Sequence, residues 1–157
     1  MTGYEPLLVV RDWNQPTDRD WAEVLGDLPL FSGLGKRRLR KLAQEAQFAE
    51  FAPGDTVIST GAAADSFYVI LSGEAEARGK PAARALTTGD YFGEIALLDG
   101  EPRSATVVAT QELHVMRIPR RTFRQLVEDN GGIALTLLAG LGGCVRRLER
   151  KPAPGVS

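Results

Sequence analysis

The chain has 157 residues, 43% hydrophobic and 25% charged, the balance of one globular domain large enough to bury a core without staples. Nineteen basic and 20 acidic side chains nearly cancel, so no bulk field draws the chain onto nucleic acid or a membrane surface. A single cysteine, Cys144, excludes an intramolecular disulfide, and a single histidine, His114, removes His-rich metal chemistry.

No apolar run reaches the ~18 residues that a spanning helix needs. The run from Ile133 to Val145 is interrupted by Gly140, Gly142 and Gly143. The N-terminus lacks a basic stretch followed by an apolar one, so no secretory leader is read. With a lone thiol and no span, a cytoplasmic location is expected.

Residues 1–29 carry six acids and two bases and are expected to form a loose arm. Thr17 can cap a short helix there, with Trp21, Val24, Leu25 and Leu28 as its apolar stripe. Ser32 to Gln47 is predicted helical, with Leu39, Leu42, Ala43 and Ala46 on one face. The basic cluster Lys36, Arg37, Arg38, Arg40 and Lys41 is read as the solvated face of that helix.

From Phe48 to Pro119 the rhythm changes. Turn signals recur at Pro53-Gly54-Asp55, Gly61, Ser72-Gly73, Gly79-Lys80-Pro81, Thr88-Gly89-Asp90 and Asp99-Gly100. Between them lie short β-branched and aromatic segments: Thr56–Ile58, Phe67–Leu71, Ala105–Val108 and Leu113–Ile118. This spacing predicts a β-sandwich or small barrel rather than βαβ units. In the last segment Leu113, Val115 and Arg117 face one way, and His114, Met116 and Ile118 the other.

After Pro119 the helical period returns. Phe123, Leu126 and Val127 form one stripe, and Asn130-Gly131-Gly132 is expected to end it in left-handed backbone. A second helix is predicted from Ile133 to Lys151. Its Ala134, Leu137, Leu141, Cys144 and Leu148 are spaced as a short heptad seam that could join two copies of the chain. The basic residues Arg146, Arg147, Arg150 and Lys151 suit the C-terminal end of that helix, and residues 152–157 are read as a disordered tail.

The chemistry concentrates in Tyr91-Phe92-Gly93-Glu94-Ile95-Ala96-Leu97-Leu98-Asp99-Gly100-Glu101-Pro102-Arg103-Ser104-Ala105-Thr106. Gly93 permits unusual backbone or close approach. Residues 94–98 form helix readily, but Asp99-Gly100 closes it after one or two turns. The start of a helix exposes unpaired N–H groups and favours an anion, and Arg103 can bring a bidentate guanidinium to the same anion. Glu94 would be repelled by a phosphate and is better matched to a sugar hydroxyl. The combination points to a ligand with a phosphate and a hydroxyl close together. Taken singly, Arg103 could be a surface ion-pair residue and Glu94 a first-turn helix acid; the constellation favours ligand binding.

This segment resembles the phosphate-binding cassette of the cyclic nucleotide-binding domain family, to which the catabolite activator protein, the regulatory subunits of cyclic AMP-dependent kinase and the cyclic nucleotide-gated channels belong. Gly54-Asp55, Phe67 to Glu74 and Arg120-Arg121-Thr122-Phe123 resemble its other recurring blocks, and the likeness covers about residues 29–150. It implies a mainly β fold, a jelly-roll β-barrel flanked by helices, occupying residues 30–151. It also implies that Glu94 accepts from the ribose 2′-hydroxyl and Arg103 pairs with the cyclic phosphate. Gly93, Ile95 and Ala96 would then offer backbone groups, and Ala105 its N–H. Ser104 after the arginine resembles the bacterial activators and favours cyclic AMP over cyclic GMP. The last helix is expected to close over the base through Val145, Arg146 or Leu148.

The family's activators continue into a helix-turn-helix domain, and none is read in this chain, nor is a catalytic domain or a pore. The expected function is therefore a non-enzymatic cyclic-nucleotide sensor acting on an unidentified effector protein, without direct DNA binding. A ligand-independent interaction module on the same fold, its pocket filled by Leu86 or Tyr91, is the alternative. His114 has no second His or Cys at metal spacing, so no metal site and no cofactor are expected. Trp13, Trp21 and Tyr68 are read as packing residues.

Overall fold

The computed structural model describes residues 25–79 and 82–150, the side chains of 143–150 excepted. The Thr17 cap, Trp13, Trp21, most of the arm, the tail and the side chains of Cys144, Val145, Arg146 and Leu148 lie outside the described residues. No helix among the described residues is long and apolar enough to cross a membrane.

After a 3₁₀ turn at Pro29–Phe31, helix α1 runs Lys36–Glu45. Strands follow as β1 (Gln47–Phe51), β2 (Thr56–Ile58), β3 (Ser66–Ser72), β4 (Ala75–Arg78), β5 (Arg84–Leu86) and β6 (Tyr91–Phe92). Helix α2 (Glu94–Asp99) interrupts them before β7 (Thr106–Ala109) and β8 (Leu113–Pro119). Helices α3 (Arg120–Asp129) and α4 (Gly131–Arg150) complete the order.

The strands make two antiparallel four-stranded sheets, ordered β1-β8-β3-β6 and β2-β7-β4-β5. The expected closed barrel is not formed: among the described residues no strand ladder joins one sheet to the other. The sheets instead pack face to face over Ala49, Phe51, Val57, Tyr68, Ile70, Leu86, Phe92, Val107, Leu113 and Val115. Alternation along the strands sends the other side chains of the first sheet outward. There Phe48, Phe67, Val69, Met116 and Ile118 meet Leu39 and Leu42 of α1, Leu97 of α2, Phe123 and Leu126 of α3, and Ile133 and Leu137 of α4. The first sheet is thus buried on both faces, which is why β3 and β8 read as nearly continuous apolar runs. The alternation predicted for 113–118 is as observed, with Arg117 reaching Tyr68 Oη at 3.2 Å on the inner side. Leu25 and Leu28 of the arm also join the helical core.

Several expectations are corrected. Helix α1 is shorter than Ser32–Gln47, because Gln47 already pairs with Arg117 as the first residue of β1. Asn130 is extended (φ −134°, ψ 94°), not left-handed. Its Nδ2 donates to Leu126 O at 2.8 Å, satisfying the end of α3 by a side chain instead. Gly131 then begins α4 directly, and α4 continues through its glycines. The proposed seam is divided: Leu137 is 2% exposed in the chain's own core, so it is not on a free face. Among the described side chains of α4, the exposed leucines are Leu135 and Leu138. The basic side chains of α1 are exposed as expected; Arg38 donates to Asn130 Oδ1 and Asp129 O, tying α1 to the end of α3.

Candidate functional site

Strand β6 ends at Phe92, whose ring stacks on Tyr68 with centroids 5.0 Å apart. The chain then turns through Gly93 at φ 89° and enters α2. A side chain at Gly93 would be strained in this backbone, and its Cβ would lie 2.7 Å from Arg103 Nη1. Glycine therefore serves both the dihedral and the close approach of the guanidinium. Gly100 (φ 74°) closes α2, its N–H returning to Ala96 O at 3.0 Å.

Arg103 is 2% exposed. Its Nη1 donates to Gly93 O at 2.9 Å and its Nη2 to Ser66 O at 2.8 Å. The guanidinium carbon lies 5.8 Å from the Tyr68 ring centroid. The backbone of Arg103 is also fastened, with its N–H to Ala62 O and its carbonyl accepting from Gly61 N, both at 2.8 Å. Behind it, Asp65 accepts two bonds from Arg117 Nη2, at 3.0 and 2.9 Å. Arg103 is thus an inner fastener between β3 and the start of α2.

Glu94 occupies the opposite condition. Its Oε2 is buried and has no hydrogen-bond partner. Burial pushes its carboxyl above the ordinary glutamate range, while its own backbone N–H, then Arg84, then Arg103 pull it down. Glu94 lines a cavity of about 300 Å³, with Arg84, Leu86, Asp90, Tyr91 and Ile95 on the same side. Leu137, Gly140 and Leu141 of α4 line the other side. Contact there is close, since a Cβ at Gly140 would fall 2.7 Å from Tyr91 Oη. Helix α4 therefore lies across the mouth of the cavity.

Of the residues singled out from sequence, Glu94 and Ile95 line this cavity. Gly93 joins Glu94 to the Arg103 guanidinium through its carbonyl. Ala96 is 2% exposed and packs into the helical core. Ser104 is exposed and Ala105 half-buried, the latter 2.9 Å from where a Cβ at Gly79 would sit. Leu86 and Tyr91 line the cavity rather than occluding it. Leu141, assigned to the seam from its spacing, faces the cavity instead.

Arg84 and Asp90 are cavity residues that sequence reasoning missed. Asp90 reads as a turn residue and is one, since its Oδ2 accepts from Thr87 N at 2.8 Å. Arg84 carries no motif; only the antiparallel pairing of β4 with β5 (Ala77 opposite Arg84) brings it here.

Comparison with known proteins bears on the family and the fold. The family model described as the cyclic nucleotide-binding domain matches residues 48–130, from β1 through α3. The cAMP-dependent protein kinase regulatory subunit of Aspergillus fumigatus is 39% identical over 117 residues, 71% of this chain and 28% of that protein. The chain therefore spans under a third of the length of that relative. The regulatory domain of Toxoplasma gondii PKA, solved with cAMP, superposes with a TM-score of 0.72 at 24% identity, over 80% of this chain and 50% of that one. The regulatory subunit of a cAMP-independent protein kinase A from Trypanosoma cruzi, bound to guanosine, gives 0.68 at 27% identity, over 76% of this chain and 44% of that one. With two antiparallel sheets, flanking helices and the glycine-glutamate-arginine cassette in one place, the chain belongs to the cyclic nucleotide-binding domain family.

Proposed function

We propose that this chain is a regulatory sensor of a cyclic nucleotide, cyclic AMP in the first instance, that responds by repositioning α4 and does no chemistry on its ligand. The observation that carries the proposal is the buried, partnerless Oε2 of Glu94, a residue that lines the cavity beneath the terminal helix. A buried carboxylate oxygen without a donor costs free energy, roughly 1–3 kcal/mol. A ribose hydroxyl supplies the missing donor.

The phosphate belongs with Arg103 and the backbone of the cassette around Gly93, Ile95, Ala96, Ser104 and Ala105. Arg103 is spent on the Gly93 and Ser66 carbonyls and is 2% exposed. A phosphate reaching it has to shift the cassette. Because Tyr91 precedes the cassette and abuts Gly140, such a shift is felt at α4. The ligand then selects the arrangement in which cassette and helix fit it together. The effector is a separate protein or domain that reads the position of α4. A cytoplasmic location and a homodimer through α4 fit this reading, although Leu137 and Leu141 are engaged within the chain.

Calorimetric titration with cyclic AMP and cyclic GMP tests this directly. Saturable heat with cyclic AMP, lost in Arg103→Ala and weakened in Glu94→Gln, is the expected result. Arg103 is buried, so circular dichroism must first show that the variant is folded. Absence of binding by a folded wild type would overturn the proposal and favour the ligand-independent module.

A further inference from the structure

On the other rim of the first sheet, away from the cavity, the pairing of β1 with β8 sets Glu50 directly opposite His114. Glu112 lies two residues before His114, and its Oε1 is 3.0 Å from His114 Nε2. One ligand-type atom from each of the three side chains falls within 4.8 Å of the others. His114 is 7% exposed, whereas Glu112 opens to solvent with 65% of its side chain accessible. The imidazole is thus fixed by the sheet, and the carboxylates close over it from the solvent side.

The placement is costly without a positive centre. Two carboxylates brought against one imidazole repel each other unless a proton or a cation lies among them. The ladder holds Glu50 beside His114, because a cross-strand pair cannot separate without breaking the register, and Glu112, just before β8, joins them through its 3.0 Å contact with His114 Nε2. The donor set is one nitrogen and two carboxylates. That set suits zinc and neighbouring divalent transition ions, and is poorly matched to calcium or magnesium, which take all-oxygen shells. We propose that Glu50, Glu112 and His114 form a surface site for a divalent transition-metal ion of the zinc type, with water completing its coordination. Bound there, the ion clamps β1 to β8 at the end of their ladder. The spacing of histidines and cysteines along the chain gave no hint of it, because the third ligand is contributed by another strand.

Titration of the full chain with zinc chloride, with calcium chloride as the control, tests the site. One equivalent of zinc should bind and raise the melting temperature, and calcium should do neither. The zinc signal should vanish in His114→Ala and in Glu112→Gln; the latter is exposed and leaves folding intact if His114→Ala does not. It should persist in Cys144→Ala, and cobalt(II) should give visible bands without a thiolate charge-transfer band. No zinc binding, retention of binding in Glu112→Gln, or loss in Cys144→Ala would overturn the site, leaving His114 hydrogen-bonded to Glu112 and facing Glu50 across the ladder.

Discussion

The two cores of this protein differ in how they are held. Between the sheets, Phe51, Val57, Ile70, Val107 and Leu113 are enclosed on both sides by hydrogen-bonded ladders. Under the helices, Phe67, Met116 and Ile118 of the first sheet meet α1, α2, α3 and α4, which are joined by turns and side-chain contacts rather than ladders. The first core is a scaffold whose parts move only by breaking many bonds at once. The second contains the cassette helix and the roof of the cavity, so its packing is where ligand binding and shape can be coupled. The two cores therefore offer separate handles, one on the scaffold and one on the packing beneath the helices.

Truncation should separate the cores most strongly. Phe51→Ala is expected to lower stability by about 3–5 kcal/mol while leaving the affinity of the folded fraction for cyclic nucleotide unchanged. Leu137→Ala, in the helical core, is expected to cost about 2–4 kcal/mol and to change that affinity as well. Urea melts paired with calorimetry check both; equal effects on affinity would erase the distinction.

Gly93→Ala probes the junction between the cores. The left-handed backbone alone costs about 1–2 kcal/mol, and the added methyl pushes against the Arg103 guanidinium. A loss of stability and of binding together is expected, and Ala96→Gly, which lacks that contact, should not reproduce the loss of binding.

A smaller effect follows from the charge of Glu94. Its carboxyl is raised in the folded chain by burial, so the native state holds this proton more tightly than the unfolded state. That contribution is full below the ordinary glutamate value and is lost as pH rises through the elevated one. Without ligand, Glu94→Gln should therefore melt at a higher temperature than wild type at neutral pH, and the gap should close on acidification. A gap that widens in acid would contradict the burial of this carboxylate. Smallest of all, Arg37→Ala and Arg40→Ala on the solvated face of α1 should each change stability by less than about 0.5 kcal/mol in melts, sharpening the contrast with both cores.

Much of this was legible from residues alone. The strands at 56–58 and within 66–72, 106–109 and 113–119 announce themselves by β-branched and aromatic content between turn signals. Short strands such as Ala75–Arg78, Arg84–Leu86 and Tyr91–Phe92 do not. They carry alanines, charges or only two residues, and become strands because a neighbour offers them a ladder. The cassette was legible because its demands are local: a glycine at positive φ, a short helix closed by a second glycine, and an arginine a fixed distance along the chain. Arg84, Asp90 and the roof residues were not, since they reach the cavity from three separate elements.

The heptad spacing in α4 shows the same boundary from the other side. A seam read from sequence says which residues share a helix face, not what that face meets; here Leu137 and Leu141 meet the chain's own core and cavity. The amino-acid sequence by itself determined the mainly β fold with flanking helices and the family, because these depend on periodicity and on interactions within a few residues. Only the tertiary structure decided that Arg103 is turned onto backbone carbonyls, that Glu94 is left with a partnerless oxygen, and that Glu50 comes to face His114. Those outcomes depend on register between strands distant in the chain, and no local pattern encodes where a ladder will place its neighbour's side chain.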